Sequence, residues 1–208
     1  MGHLPRDERG YPVPWFVKWL EGKPDFRIVD GDKFRQAIRF GNCWICGEPL
    51  GRLKTFVLGS MNIVNRVTSE PGNHLECADY AVKACPFLLL PAAKYRKAEL
   101  PAGTRVPPQM NSRNPGVTAL WTCVSAKLLR YPNNQYLLRV GDPVHVDFVR
   151  EGKLATREQI LESIDGGFAK LWNDCGAELG ETLPLARARI DTLVELENMY
   201  ARAMELVP

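Results

Sequence analysis

Histidine is scarce in this chain: His3, His74 and His145 are the only three among 208 residues. Few imidazoles are thereby available for catalysis, and His74 alone falls beside a cysteine pair. Long hydrophobic runs are missing too, because the longest, Pro86 to Ala93, falls far short of the roughly 20 apolar residues that span a bilayer. Met1 to Glu21 carries Arg6, Asp7, Glu8, Arg9 and Lys18 where a secretory signal would need an apolar core. Charge of one sign is also in short supply, since 27 Lys and Arg against 24 Asp and Glu leave only +3. That surplus is too small to mark a nucleic-acid binder by charge alone. Six cysteines in 208 residues are too thin for a disulfide scaffold, and their uneven spacing points to a metal site with bystanders. A cytoplasmic setting with reduced thiols is the expectation. What remains, 45% hydrophobic and 25% charged, is the composition of a globular chain long enough for one good-sized domain or two small ones.

Patterning predicts an α+β fold. Trp15 to Leu20 and Asp25 to Val29 alternate around a Gly/Pro turn and read as a hairpin. Asp30 is placed to cap a helix over Lys33 to Phe40, and Gly41 to end it. Leu53 to Leu58 and Asn62 to Val67 are β-rich runs around Gly59-Ser60-Met61, which predicts a second hairpin. His74 to Cys85 follows with helical spacing of Leu75, Ala78, Ala81 and Val82, stopped by Pro86. Five prolines between Pro91 and Pro115 make 91–115 a basic, proline-rich connection. Beyond it, Val117 to Val124, Tyr136 to Val140 and Val144 to Arg150 predict a three-stranded antiparallel meander. Two helices close the chain, one behind the capping box Thr156-Arg157-Glu158-Gln159, the other opened by Thr182 and Pro184 with Ile190, Leu193, Val194 and Tyr200 on its inner face. The expected organisation is a metal-binding region at 1–90, the connection at 91–115, and a small sheet with two helices at 116–208. No internal repeat stands out, although Glu-Gly-Lys occurs at both 21–23 and 151–153.

Cys43-Trp44-Ile45-Cys46-Gly47 sets two thiols three apart on a tight turn, a bite that lets both sulfurs reach one ion at about 2.3 Å. After 27 intervening residues, His74-Leu75-Glu76-Cys77 offers a second pair with the same offset at a helix start. Other sets compete. Cys43, Cys46, Cys77 and Cys85 together would suit an iron–sulfur cluster, although Cys85 lies two helical turns beyond Cys77. A redox dithiol at Cys43 and Cys46 should open a helix, and Gly47-Glu48-Pro49 blocks one. Plain burial of small thiols is the remaining alternative. Cys123 and Cys175 are expected to be packing residues.

The Cys-x2-Cys turn, the predicted hairpin and the helix bearing the second pair resemble a treble-clef zinc finger over Asn42 to Cys85. The resemblance implies a closed site of Cys43, Cys46, His74 and Cys77 holding Zn2+. Treble clefs include the HNH nucleases, which place a catalytic histidine on the hairpin, and Leu53 to Val67 contains none. A deaminase-type hydrolytic zinc would use a glutamate such as Glu76, but the order of motifs here is reversed and incomplete. Arg9 to Val17, Cys43 to Gly51 and Cys85 to Leu88 are also similar to a set of uncharacterised bacterial and phage proteins, a resemblance that implies no activity.

With a structural metal, function falls to the surface. Lys54, Arg66, Arg96, Lys97, Arg105 and Arg113, interleaved with Trp44, Tyr80, Tyr95 and Trp121, are the candidate nucleic-acid-binding set. A protein-interaction adaptor, suggested by the C-terminal helix pair and the proline-rich span, is the alternative, followed by a metal-dependent hydrolase or nuclease. His145 and Asp147 share a strand face with Asp142 nearby, a pattern also expected of a solvated strand.

Overall fold

The computed structural model describes residues 2–90, 93, 114, 116–130, 136–178 and 183–208, with side chains left out at 175–191 and 193. The first hairpin forms as expected from β1 (Val17–Leu20) and β2 (Lys23–Val29). Its turn is the two residues Glu21 and Gly22, both at positive φ, 47° and 79°. Such a turn has the twist that flanking strands require. The helix α1 (Gly31–Phe40) also forms, with the Asp30 carboxylate accepting from the backbone of Asp32 and Lys33 at 3.0 and 3.3 Å. Gly41, at φ 70°, ends it in the left-handed conformation that glycine adopts at least cost.

The second hairpin does not form. After β3 (Lys54–Leu58) the chain enters a short helix, α2 (Ser60–Asn65), and only Val67–Thr68 remains as β4. The adjacent residues Ile63 and Val64 are both buried, which a helix packed into the core permits and a half-exposed strand does not. The place beside β3 is taken from far along the chain. The helices α3 (Leu75–Ala84) and α4 (Pro86–Leu89) come next, as the proline at position 86 suggests.

The expected meander is likewise replaced. The strands β5 (Thr118–Cys123), β6 (Ala126–Arg130), β7 (Tyr136–Val140), β8 (Pro143–Arg150) and β9 (Lys153–Leu154) are shared between two sheets, β3-β5-β8-β9 and β4-β7-β6. Cys123 lies opposite Pro143 and Ala126 opposite Val140, so β5–β6 and β7–β8 are the two arms of one long ribbon that bends between sheets. At the bend the Gly141 amide donates to the Ser125 carbonyl at 2.9 Å, and a Cβ on Gly141 would sit 2.9 Å from that oxygen. β6 escapes sequence detection because it is an edge strand whose Lys127 and Arg130 are exposed. The second Glu-Gly-Lys run makes the same turn as the first, with Glu151 and Gly152 at φ 53° and 73° between β8 and β9.

All six residues of β5 are buried, because helices cover both faces of its sheet. Ala119, Trp121 and Cys123 pack with Phe56, Ile63 and Val64 against α5 (Arg157–Glu178) and α6 (Leu183–Met204), where Ile160, Ile164, Leu196 and Ala203 complete the main core. On the other face Leu120 and Val149 meet Ala78 and Val82 of α3. The capping box of α5 is reciprocal, the Gln159 amide donating to the Thr156 hydroxyl at 3.4 Å and the Thr156 amide to the Gln159 side chain at 3.0 Å. Among the described residues no helix is long and apolar enough to cross a membrane. The 91–115 connection lies outside the described residues except at 93 and 114. There the Asn114 amide donates to the Ala93 carbonyl, and its side chain to those of Phe87, Leu88 and Leu90.

Candidate metal centre

The first ligand pair is set by a tight turn behind α1. The Cys43 amide donates to the Glu48 carbonyl at 2.7 Å and the Gly47 amide to the Cys43 carbonyl at 2.8 Å, while the Asn42 side chain donates to the Gly47 carbonyl at 2.8 Å. Gly47 turns back at φ 82°, over the Trp15 indole, which a Cβ would approach to 2.7 Å. Between the two cysteines, Trp44 is only 3% exposed. Its ring stacks on Phe16 at 4.9 Å and meets the edges of Phe34 and Trp15 at 5.8 and 6.5 Å, which ties the ligand turn to the start of the hairpin and to α1.

The second pair reaches the same place through β3. Thr55 and Asn73 exchange two backbone hydrogen bonds of 2.8 Å, and the Trp44 amide donates to the Gly72 carbonyl at 3.0 Å. His74 then stands at the N-cap of α3, with Cys77 in its first turn. The ligand atoms of Cys43, Cys46, His74 and Cys77 all lie within 4.8 Å of one another. His74 Nδ1 is 3.4 Å from Cys46 Sγ and 3.8 Å from Cys77 Sγ. A tetrahedron with sulfur at about 2.3 Å and nitrogen at about 2.0 Å from its centre has S–N edges of about 3.5 Å, so these donors already stand at coordination spacing.

The far side of the imidazole settles which nitrogen is available. His74 Nε2 lies 3.1 Å from the Pro49 carbonyl, which can only accept, so Nε2 carries the proton and the Nδ1 lone pair faces the sulfurs. Metal-ligating histidines are oriented by this kind of outer contact. The His74 amide also donates to Cys43 Sγ at 3.5 Å. Burial, and then the neighbouring Cys43 and Cys46 sulfurs, push the Cys77 thiol up, and burial does the same at Cys46. Thiols crowded in this way become thiolates together only when a cation shares the site. Three sulfurs and one imidazole in a tetrahedral arrangement form a donor set that zinc takes readily.

Cys85 caps α3 and stands outside the cluster, so the all-cysteine arrangement is not assembled among the described residues. Cys123 is buried and donates to the Ser125 carbonyl at 3.2 Å, in keeping with a packing role. The Cys175 side chain lies outside the described residues. Glu76 sits in the first turn of α3, where the helix dipole favours a carboxylate. His145 Nε2 and Asp147 Oδ2 are 2.9 Å apart on the exposed part of β8.

Of the six candidate nucleic-acid-binding cations, Arg96, Lys97, Arg105 and Arg113 lie outside the described residues, as does Tyr95. Lys54 donates to the Val124 carbonyl at 3.3 Å. Arg66 pairs with Asp142 and lies over the Trp121 ring at 5.1 Å. Trp44 and Trp121, read from sequence as stacking faces, are 3% and 0% exposed and belong to the interior. Tyr80 does reach the surface.

Sequence reasoning missed Leu4 and His3. Leu4 is buried against Cys43, Ile45, Cys46 and Cys77, and its strap is fastened by the Val13 amide donating to the Pro5 carbonyl at 2.7 Å. A single leucine 39 positions before the first ligand carries no sequence signal. An open cavity of about 540 Å3 adjoins the cluster, lined by Cys46, His74 and Cys77 together with His3, Glu48 and Glu76. No family model, curated protein or solved structure matches the chain. The treble-clef and the bacterial or phage resemblances therefore gain no support from known proteins, and the site rests on its own geometry.

Proposed function

We propose that this chain is a zinc-binding protein in which Cys43, Cys46, His74 and Cys77 hold one structural Zn2+, and that it acts through its surface rather than through the metal. The observation that carries the reading is the orientation of His74, with Nε2 on the Pro49 carbonyl and Nδ1 among the sulfurs. Four protein donors fill a tetrahedral ion, which leaves no position for a substrate or an activated water. In this arrangement the ion would join the 43–46 turn to the start of α3. Its treble-clef character rests on that turn and that helix, since α2 and β4 replace the hairpin.

Metal analysis of the purified chain tests the proposal. One zinc per chain is expected, lost on Cys77→Ser and on His74→Ala; iron with visible absorbance, or no metal, overturns it. Nucleic acid is kept ahead of protein as the partner on the sequence of the 91–115 connection, which holds Arg96, Lys97, Arg105 and Arg113. Binding to DNA or RNA should then fall steeply between low and moderate salt, through release of counterions. Failure to bind either at low salt leaves the adaptor reading.

A further inference from the structure

The four donors are not equally placed with respect to solvent. Cys46 and Cys77, 9% and 5% exposed, show their small accessible area in the cavity beside the cluster, whereas Cys43 does not line it and is 0% exposed. A small oxidant entering the cavity therefore meets two sulfurs and not the third. Those two stand within 4.8 Å of each other, so a modest side-chain movement brings them into bonding range. Cys85, eight residues beyond Cys77 along α3, is about 12 Å away by helical rise and cannot take either place.

We propose that Cys46 and Cys77 form a peroxide-reactive pair whose oxidation to a disulfide dismantles the metal site. This rests on the structural-zinc reading above. In the first step one cavity-facing thiolate attacks hydrogen peroxide: an S–O bond forms, the O–O bond breaks, and the hydroxide leaves as water after taking a proton, so that a sulfenic acid remains. In the second step the other thiolate attacks that sulfur, the S–S bond forms, and the S–O bond breaks with loss of a second water. The two sulfurs give up two electrons and the peroxide takes them. Only Cys43 and His74 are then left as donors, too few to retain a tetrahedral ion. Around the same cavity the carboxylates of Glu48, Glu76 and Asp79 outnumber the ammonium of Lys83, which pairs with Asp79, and this favours a neutral oxidant over an anionic one such as oxidised glutathione.

The experiment uses the full chain as purified, with its zinc content measured first. Absence of zinc at that point overturns the structural-zinc reading and this inference with it. With zinc present, hydrogen peroxide should release one ion, read by a chromogenic chelator, as two thiols disappear. Peptide mapping should find Cys46 joined to Cys77 with Cys43 still alkylatable, and a dithiol reductant should restore zinc binding. Cys85→Ser should respond like the parent, with the same zinc release and the same Cys46–Cys77 disulfide. Zinc retained under peroxide, or a disulfide that uses Cys43 or Cys85, overturns the inference while leaving the structural-zinc reading intact.

Discussion

At the scale of single residues, charge and hydrogen-bonding capacity decide most of what matters here. His74 is useful to a metal only because the Pro49 carbonyl holds its other nitrogen. Its spacing to Cys77 was visible in the sequence, but its orienting partner, 25 positions upstream, was not. Trp121 makes the opposite lesson: as a bare residue type it suggested a stacking face, and in the fold it is interior, with Arg66 lying over its ring and pairing with Asp142. Asp25 shows how an ion pair supports an element. Arg27 grips it with bonds of 2.8 and 2.6 Å, and this contact holds the Asp25 carboxyl below the ordinary aspartate value despite partial burial. The stabilising charge is thus fully present above about pH 3.9, the ordinary value, and is lost as pH falls through the lower folded-state value. Urea unfolding across pH should show the parent losing this support on acidification, while Asp25→Asn is less stable at neutral pH by about 1 kcal/mol or less and lacks that acid-dependent loss.

At the scale of elements, the helices were more legible than the strand partners. α1, α3 and α5 formed where caps and 3.6-residue spacing placed them, because both signals are local. The 62–67 run failed as a strand because its β-branched residues are as content in a buried helix, and only the arrival of β5 beside β3 decides between them. Within α5 the neighbouring glycines have opposite roles. A Cβ on Gly167 would lie 2.6 Å from the Ser60 carbonyl oxygen, so α2 and α5 meet backbone to side there, whereas Gly166 has nothing within 4 Å. Gly166→Ala should therefore raise stability by about 0.5–1 kcal/mol through helix propensity. Gly167→Ala should lower it by about 1–3 kcal/mol through overpacking, both read from thermal or urea midpoints. Equal effects of the two substitutions would contradict the close crossing.

At the scale of the whole molecule there are distinct packing clusters. Leu4, Cys43, Ile45, Cys46 and Cys77 form a small group around the metal donors, while the main core lies on the opposite face of the sheet from α3. Stripping zinc with a strong chelator should therefore loosen the 43–50 turn and the start of α3, seen as faster amide exchange there and a red shift of Trp44 emission. Exchange in β5 and in the first half of α5 should change little. Uniform loss of protection would show that the metal supports the whole fold. The sequence alone determined the two candidate donor pairs, the turn that carries Cys43 and Cys46, the helix caps and the α+β class, because each is written in neighbours a few positions apart. Tertiary structure alone decided that β3 pairs with β5, that Trp44 and Trp121 are interior, that Leu4 covers the donors, and that Cys46 and Cys77 face the cavity while Cys43 does not. Those outcomes depend on which distant surfaces meet, and burial between them follows from the closing of the chain rather than from any local pattern.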